Sequence, residues 1–189
     1  MLAERAAYSV HQLKRRIMAL LNIINVPDPL LKTMSTPVDV VDDAVRRLID
    51  DMTDTMYDAP GIGLAAIQVA IPKRLLIMDT EGSEDDRKAK ALINPEIIWS
   101  SEEYNVYNEG CLSVPEHYAE VERPAEVKVR YLDRDGKLVE EHMTGLAATC
   151  VQHEIDHLNG VVFIDYLSKL KRGMIIRKVA KATKSVPVL

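Results

Sequence analysis

Gly145-Leu146-Ala147-Ala148-Thr149-Cys150-Val151-Gln152-His153-Glu154-Ile155-Asp156-His157-Leu158-Asn159-Gly160 is the stretch on which the reading of this chain turns. Gly145 to Leu158 reads as one helix. Leu146, Thr149, Cys150, His153 and His157 recur at helical spacing and share a face. Asn159-Gly160 ends it, because glycine accepts the left-handed conformation that follows a last turn.

Short β-like runs precede this helix. They are Arg74 to Met78, Ala91 to Ile93, Glu96 to Trp99, Tyr118 to Val121, Glu126 to Leu132 and Lys137 to Met143. Asn94-Pro95 punctuates the second and third. Asp133-Arg134-Asp135-Gly136 is a strong turn signal and predicts a hairpin between the last two. Glu81 to Lys90 is polar and reads as a loop. Further upstream, Val41, Val45, Leu48, Ile49, Met52 and Met56 fall on one side of a helix over Val41 to Tyr57, capped by Asp42 or Asp43 and stopped by Pro60-Gly61. Downstream, a third helix is predicted from about Ser168 to Lys181, with Ser168 as its cap and Leu170, Ile175, Ile176 and Val179 as its apolar stripe. Helices segregated from antiparallel strands indicate an α+β fold. No internal repeat or low-complexity linker interrupts residues 18–189, which read as a single domain. Residues 1–17 read as an extension outside it.

The composition agrees. A chain of 189 residues suits one domain, and a hydrophobic fraction of 47% supports a sizeable core built of aliphatic residues and eight methionines. Two cysteines, Cys111 and Cys150, exclude a disulfide framework and indicate a reducing compartment, the cytoplasm. No run of 18 apolar residues exists, so no membrane span is expected. The first seventeen residues end in Lys14-Arg15-Arg16 and lack the apolar stretch of a secretory signal; Glu4 and the shortness of the segment argue against a transit peptide, and Met18 is an alternative start. Formal net charge is −5, yet after Tyr166 there are seven Lys or Arg and no Asp or Glu. A basic tail on an acidic body suggests a polyanionic partner; the plainer alternative is a solvated helix with its cations at the negative end of the dipole.

The chemistry starts at His153-Glu154-Ile155-Asp156-His157. Imidazoles at i and i+4 of a helix can hold one metal ion, and the adjacent Glu154 can reach a water on it. A third protein ligand would leave a position open, as catalytic sites require. Downstream of His157 there is no histidine or glutamate, only Asp165, so Cys111 in Glu109-Gly110-Cys111-Leu112-Ser113-Val114-Pro115 is the better candidate. Its alternative is a buried free cysteine. Cys150, three residues before His153, lines the same pocket or ligates; spacing does not distinguish these. His11, His117 and His142 are isolated and read as non-ligands. Gly61-Ile62-Gly63-Leu64-Ala65-Ala66-Ile67-Gln68 permits close backbone approach, and Gln68 offers an amide for an oxyanion, although the stretch alone better suits a turn into a buried apolar segment.

Together, Gly61 to Gln68, Glu109 to Ser113 and Gln152 to His157 resemble the three ordered motifs of the peptide deformylase family, and the resemblance covers roughly Ile24 to Lys181. It implies antiparallel sheets packed around the central histidine-bearing helix, with a C-terminal helix. It also implies a metal-dependent hydrolase that removes the N-formyl group from the N-terminal methionine of new polypeptides and releases formate. Cys111, His153 and His157 then look like the metal ligands, Glu154 like the general acid/base, and Gln68 with the backbone N–H of Leu112 like the oxyanion hole. Ile62, Gly63, Leu64, Glu109, Gly110, Thr149 and Cys150 look like the substrate surround. The family implies Fe2+ in the cell, with Zn2+, Ni2+ or Co2+ also found; a thiolate and two imidazoles alone would suggest zinc. It further implies that Lys169, Lys171, Arg172, Arg177, Lys178 and Lys181 dock on the ribosome near the exit tunnel; DNA is not an expected partner. The competing expectations are a zinc endopeptidase, which lacks its downstream ligand, and an inactive homologue whose metal site is closed by a fourth ligand such as Cys150.

Overall fold

The computed structural model describes residues 20–83 and 86–184. The extension over 1–17, His11 and the alternative start at Met18 lie outside the described residues. Three α-helices and seven strands form the described chain: α1 (Asp43–Asp58), β1 (Gly63–Ala65), β2 (Leu75–Met78), β3 (Lys90–Ser100), β4 (Tyr104–Gly110), β5 (Tyr118–Pro124), β6 (Glu126–Leu132), β7 (Leu138–Thr144), α2 (Gly145–Leu158) and α3 (Lys169–Lys184). Five strands make an antiparallel sheet in the order β1-β2-β3-β6-β7, and β4 pairs with β5 in a separate ribbon. This is the α+β class.

The sheet is covered on both faces at its β1–β2 end, which explains why β2 is an unbroken apolar run. Leu76 and Met78 face α2, packing with Val151, Ile155 and Leu158. Leu75 and Ile77 face α1, packing with Ile49, Met52 and Met56. Alternate side chains of one strand thus serve two helices. Asp42 caps α1 by accepting from the Val45 N–H at 2.9 Å, worth about 1 kcal/mol in typical helices. A third cluster joins Ala119 and Val121 of β5, Phe163 and Ile164 of a 3-10 turn (Phe163–Tyr166), and Ile175 and Val179 of α3.

α2 lies between these layers and ten of its residues are buried. Its sides carry the core residues Val151, Ile155 and Leu158 as well as the two histidines. Gly160 follows with φ 75°, as its position after the helix requires. The predicted hairpin joins β6 and β7, with the Asp133 carboxylate accepting from the N–H groups of Asp135 and Lys137, both at 2.9 Å.

Four departures from the sequence reading have physical causes. β3 runs through Asn94-Pro95 instead of breaking there, because the register shifts at that point and the Asn94 side chain makes two 2.8 Å hydrogen bonds with the Val38 backbone. β4 was not foreseen: Tyr-Asn-Val-Tyr-Asn-Glu-Gly is polar, yet it pairs along its whole length with β5. The stretch from Gly61 carries no strand signal in the sequence, yet Gly63 to Ala65 pair with β2. Leu170 is exposed rather than part of the α3 stripe; at about 100° per residue it lies roughly 140° from Ile175 and opposite Val179.

Candidate metal centre and active-site cleft

α2 presents His153 and His157 inward, and the turn after β4 brings Cys111 over them. The Cys111 sulfur and one ring nitrogen from each histidine lie within 4.8 Å of one another, and Cys111 Sγ is 3.2 Å from His157 Nε2. Ligands around one tetrahedral ion stand roughly 3.3–3.8 Å apart, so the cluster fits a single ion with small adjustment. It is the only such cluster of three metal-binding side chains among the described residues. Cys150 is not in it: its thiol points to the Ile62 carbonyl at 3.5 Å, and burial, with Glu154 nearby, pushes that thiol well above the usual range. His117 and His142 also lie outside the cluster, against the Pro115 carbonyl and Glu126.

The donors are held by partners. His153 Nδ1 lies 2.8 Å from Glu109 Oε2, which turns Nε2 away from Glu109. Arg123 grips the same carboxylate through Nε at 2.5 Å and Nη2 at 3.1 Å, and reaches Asp156 through Nη1 at 2.8 Å. Burial disfavours charge on Glu109, but bonds from His153 and Arg123 outweigh it and hold the carboxyl below its ordinary range. Burial also opposes protonation of His153, yet Cys111 and Glu109 raise its pKa well above the ordinary value. Burial and the charge of His153 push His157 well below it, leaving a neutral ring.

Glu154 is 4% exposed, and its Oε2 is buried without a hydrogen-bond partner. Burial lifts its pKa to about 7; the charge of His153 opposes this and that of Glu109 adds to it. β1 runs directly alongside: a Cβ on Gly63 would stand 2.4 Å from Glu154 Oε1 and 2.9 Å from Cys150 Sγ. Only glycine lets the strand approach this carboxylate so closely. Gln68 accepts the Ala65 N–H at 2.8 Å through Oε1, so its NH2 group faces the centre, 3.2 Å from Ser113 Oγ and 3.5 Å from Cys111 Sγ.

A cleft of about 470 Å³ opens over the cluster. Ile62, Gly63, Glu109, Gly110, Leu112, Thr149 and Cys150 line it, with Cys111, His153, Glu154 and Gln68. Glu109 borders the cleft, but both its carboxylate oxygens are occupied by Arg123 and His153. Leu64 is not brought to the cleft: it is fully buried in the α1-side core, because successive residues of β1 point to opposite faces. Leu146, on the histidine-bearing face of α2, and Tyr118 line it too, while Tyr107 in the lining and Arg123 behind it carried no sequence signal. Arg123, between Glu122 and Pro124, looks like any solvent-facing strand residue; only its inward phase on β5 distinguishes it.

A family model for polypeptide deformylase matches residues 20–173. The chain belongs to that family. A peptide deformylase of Rhizobium meliloti (strain 1021) is 58% identical over 163 residues, covering 86% of this chain and 94% of that protein. The crystal structure of peptide deformylase from Ehrlichia chaffeensis superposes with a TM-score of 0.84 at 43% identity, covering 88% of this chain and 98% of that one. A Met-Ala-Ser-bound peptide deformylase from Acinetobacter baumannii gives a TM-score of 0.76 at 36% identity, covering 80% and 100%. As a peptide deformylase, this chain is a metal-dependent hydrolase that removes N-formyl groups from nascent peptides. None of its described helices is long and apolar enough to cross a membrane.

Proposed function

We propose that Cys111, His153 and His157 hold one divalent ion, that Glu154 moves the proton, and that the Gln68 amide and the Leu112 N–H stabilise the oxyanion during deformylation of a formyl-methionyl peptide. The observation that carries this reading is the convergence of a three-donor cluster and a buried, half-unpartnered carboxylate at the floor of one cleft. The bound ion supplies Lewis acidity and makes water nucleophilic near neutral pH. Glu154 accepts the proton from the attacking water and returns it to the leaving amine. A carboxyl lifted to about 7 is matched to both transfers. Gln68, its oxygen tied to Ala65, directs its N–H groups at the developing negative charge. The products are formate and the free amino terminus.

The methionine side chain enters between Ile62, Leu146, Thr149 and Cys150, and the Met-Ala-Ser complex of the Acinetobacter baumannii relative supports a methionyl peptide there. Gly63 leaves room for a formyl hydrogen and little more. The ion is ferrous iron in the cell, with Zn2+, Ni2+ or Co2+ as replacements, and the enzyme works in the cytoplasm with residues 18–189 as one catalytic unit. Anaerobically purified, iron- or nickel-loaded protein is expected to release formate from formyl-Met-Ala-Ser and to leave acetyl-Met-Ala-Ser intact. No formate from metal-replete protein would overturn the reading; efficient acetyl hydrolysis would overturn the steric account of selectivity.

Gly63→Ala tests the close approach of β1. The added methyl must displace the Glu154 carboxylate, and a misplacement of about 1 Å costs roughly 100-fold in rate. We expect that loss in kcat with metal content unchanged; wild-type turnover would show that the contact is slack.

The exposed Lys169, Lys171, Arg177, Lys178 and Lys181 of α3 support a ribosomal RNA contact near the exit tunnel; Arg172 also binds Asp165 at 3.1 Å. Deleting α3 would strip Ile175 and Val179 from the core, so charge reversal is the better probe. Lys171→Glu/Arg177→Glu/Lys178→Glu is expected to weaken ribosome co-sedimentation ~10-fold or more, and wild-type binding to fall as salt rises. Equal pelleting of variant and wild type would refute the contact.

A further inference from the structure

We propose that Asp156 and Tyr166 are positioning residues for the metal centre, acting through Arg123 and Glu109 on His153; the proposal rests on the ligand assignment above. The Arg123 guanidinium is buried between two acids. It binds Glu109 on one side and Asp156 on the other, and the Tyr166 hydroxyl donates to the same Asp156 oxygen at 2.9 Å. The Tyr166 ring centre lies 5.1 Å from Arg123 Cζ. Glu109 Oε2 is therefore shared by Arg123 Nη2 and His153 Nδ1.

The arrangement sets up a competition. A cation held by one carboxylate alone would draw Glu109 charge away from His153. Asp156 takes part of that cation, leaving Glu109 the stronger acceptor for the imidazole and His153 the better donor to an ion. Asp156 sits between the two histidines in sequence, but on the side of α2 that meets Arg123 and the 3-10 turn. Tyr166 fixes which Asp156 oxygen stays on this side. The pair thus ties the root of α3 to a metal ligand through bonds of 2.5–2.9 Å, and neither residue borders the cleft.

The test is Co2+ binding against a competing chelator, with visible spectra, for wild type, Asp156→Asn, Asp156→Glu and Tyr166→Phe. Asparagine keeps the volume and one acceptor but removes the charge. Asp156→Asn is expected to bind Co2+ ~10-fold or more weakly and to shift the cobalt bands, with partial recovery in Asp156→Glu. Tyr166→Phe, which keeps the half-exposed ring and so folds normally, is expected to lose several-fold. Wild-type affinity and spectra in Asp156→Asn or in Tyr166→Phe would overturn the proposal, whatever happens to thermal stability. Failure of the ligand assignment itself has a different signature: wild type would lack a sulfur-to-cobalt band that disappears in Cys111→Ser.

Discussion

Glu154→Gln is expected to lower kcat for formate release from formyl-Met-Ala-Ser by ~10²–10⁴-fold, the usual contribution of a positioned acid/base. The amide keeps the shape of the carboxyl beside Gly63, so metal content and KM should stay close to wild type. The same substitution should stabilise the metal-free protein. A glutamate has an unfolded pKa of about 4.3, and burial lifts Glu154 to about 7 in the fold. Below the lower value both states are protonated and the group contributes nothing. Between the two values only the unfolded state ionises, so stability falls as pH rises. Above the higher value the penalty is complete, on the order of 4 kcal/mol. Chelated Glu154→Gln should therefore melt above chelated wild type at pH 8, with the difference vanishing near pH 4. An active variant would remove Glu154 from the reaction; an active-site carboxyl with no such pH-dependent penalty would mean that water reaches it freely.

Much of the fold was legible because its signals are local. α2 occupies Gly145–Leu158, as its spacing predicts, and β6 occupies Glu126–Leu132. The turn at Asp133 to Gly136 dictated the hairpin. What escaped was decided by partners distant in sequence. β4 has no alternation that survives its asparagines, and exists because β5 offers a full ladder. β3 crosses a proline because Val38, 56 residues from Asn94, accepts and donates at the bulge. Leu170 is apolar like Ile175 and Val179 on α3, but its angle around the helix turns it to solvent.

The site divides in the same way. His153, Glu154 and His157 are neighbours on one helix, so spacing alone brings them together. Cys111 stands out because no histidine or glutamate follows His157, and the fold places its sulfur 3.2 Å from His157 Nε2. Arg123 and the role of Asp156 were invisible: a strand arginine and a helix aspartate 33 residues apart carry no pairing signal until β5 packs on α2. Leu64 shows the converse. It sits inside a motif that resembles the family, yet strand alternation turns it into the core.

Stripping the metal should abolish turnover and loosen the same region that Glu154→Gln leaves intact. The three donors come from α2 and from the turn after β4, so an ion bridges the ribbon to the central helix. Binding only to the folded state stabilises it by about 4 kcal/mol when the free ion exceeds its Kd a thousandfold. His153 and His157 lie edge to face with ring centres 4.9 Å apart, and a buried pair of basic rings cannot both carry charge at low cost. His157→Ala should lose the ion, lose formate release below detection and melt close to the chelated wild type. Adding Fe2+ or Ni2+ should restore the wild type but not the variant. Retained stoichiometric metal in His157→Ala, or full turnover after chelation, would break the assignment of the centre. Glu154→Gln separates the two roles: it should still melt higher when metal is added, showing that the ion's contribution to the fold and the carboxyl's contribution to the chemistry are carried by adjacent residues of one helix but by different bonds.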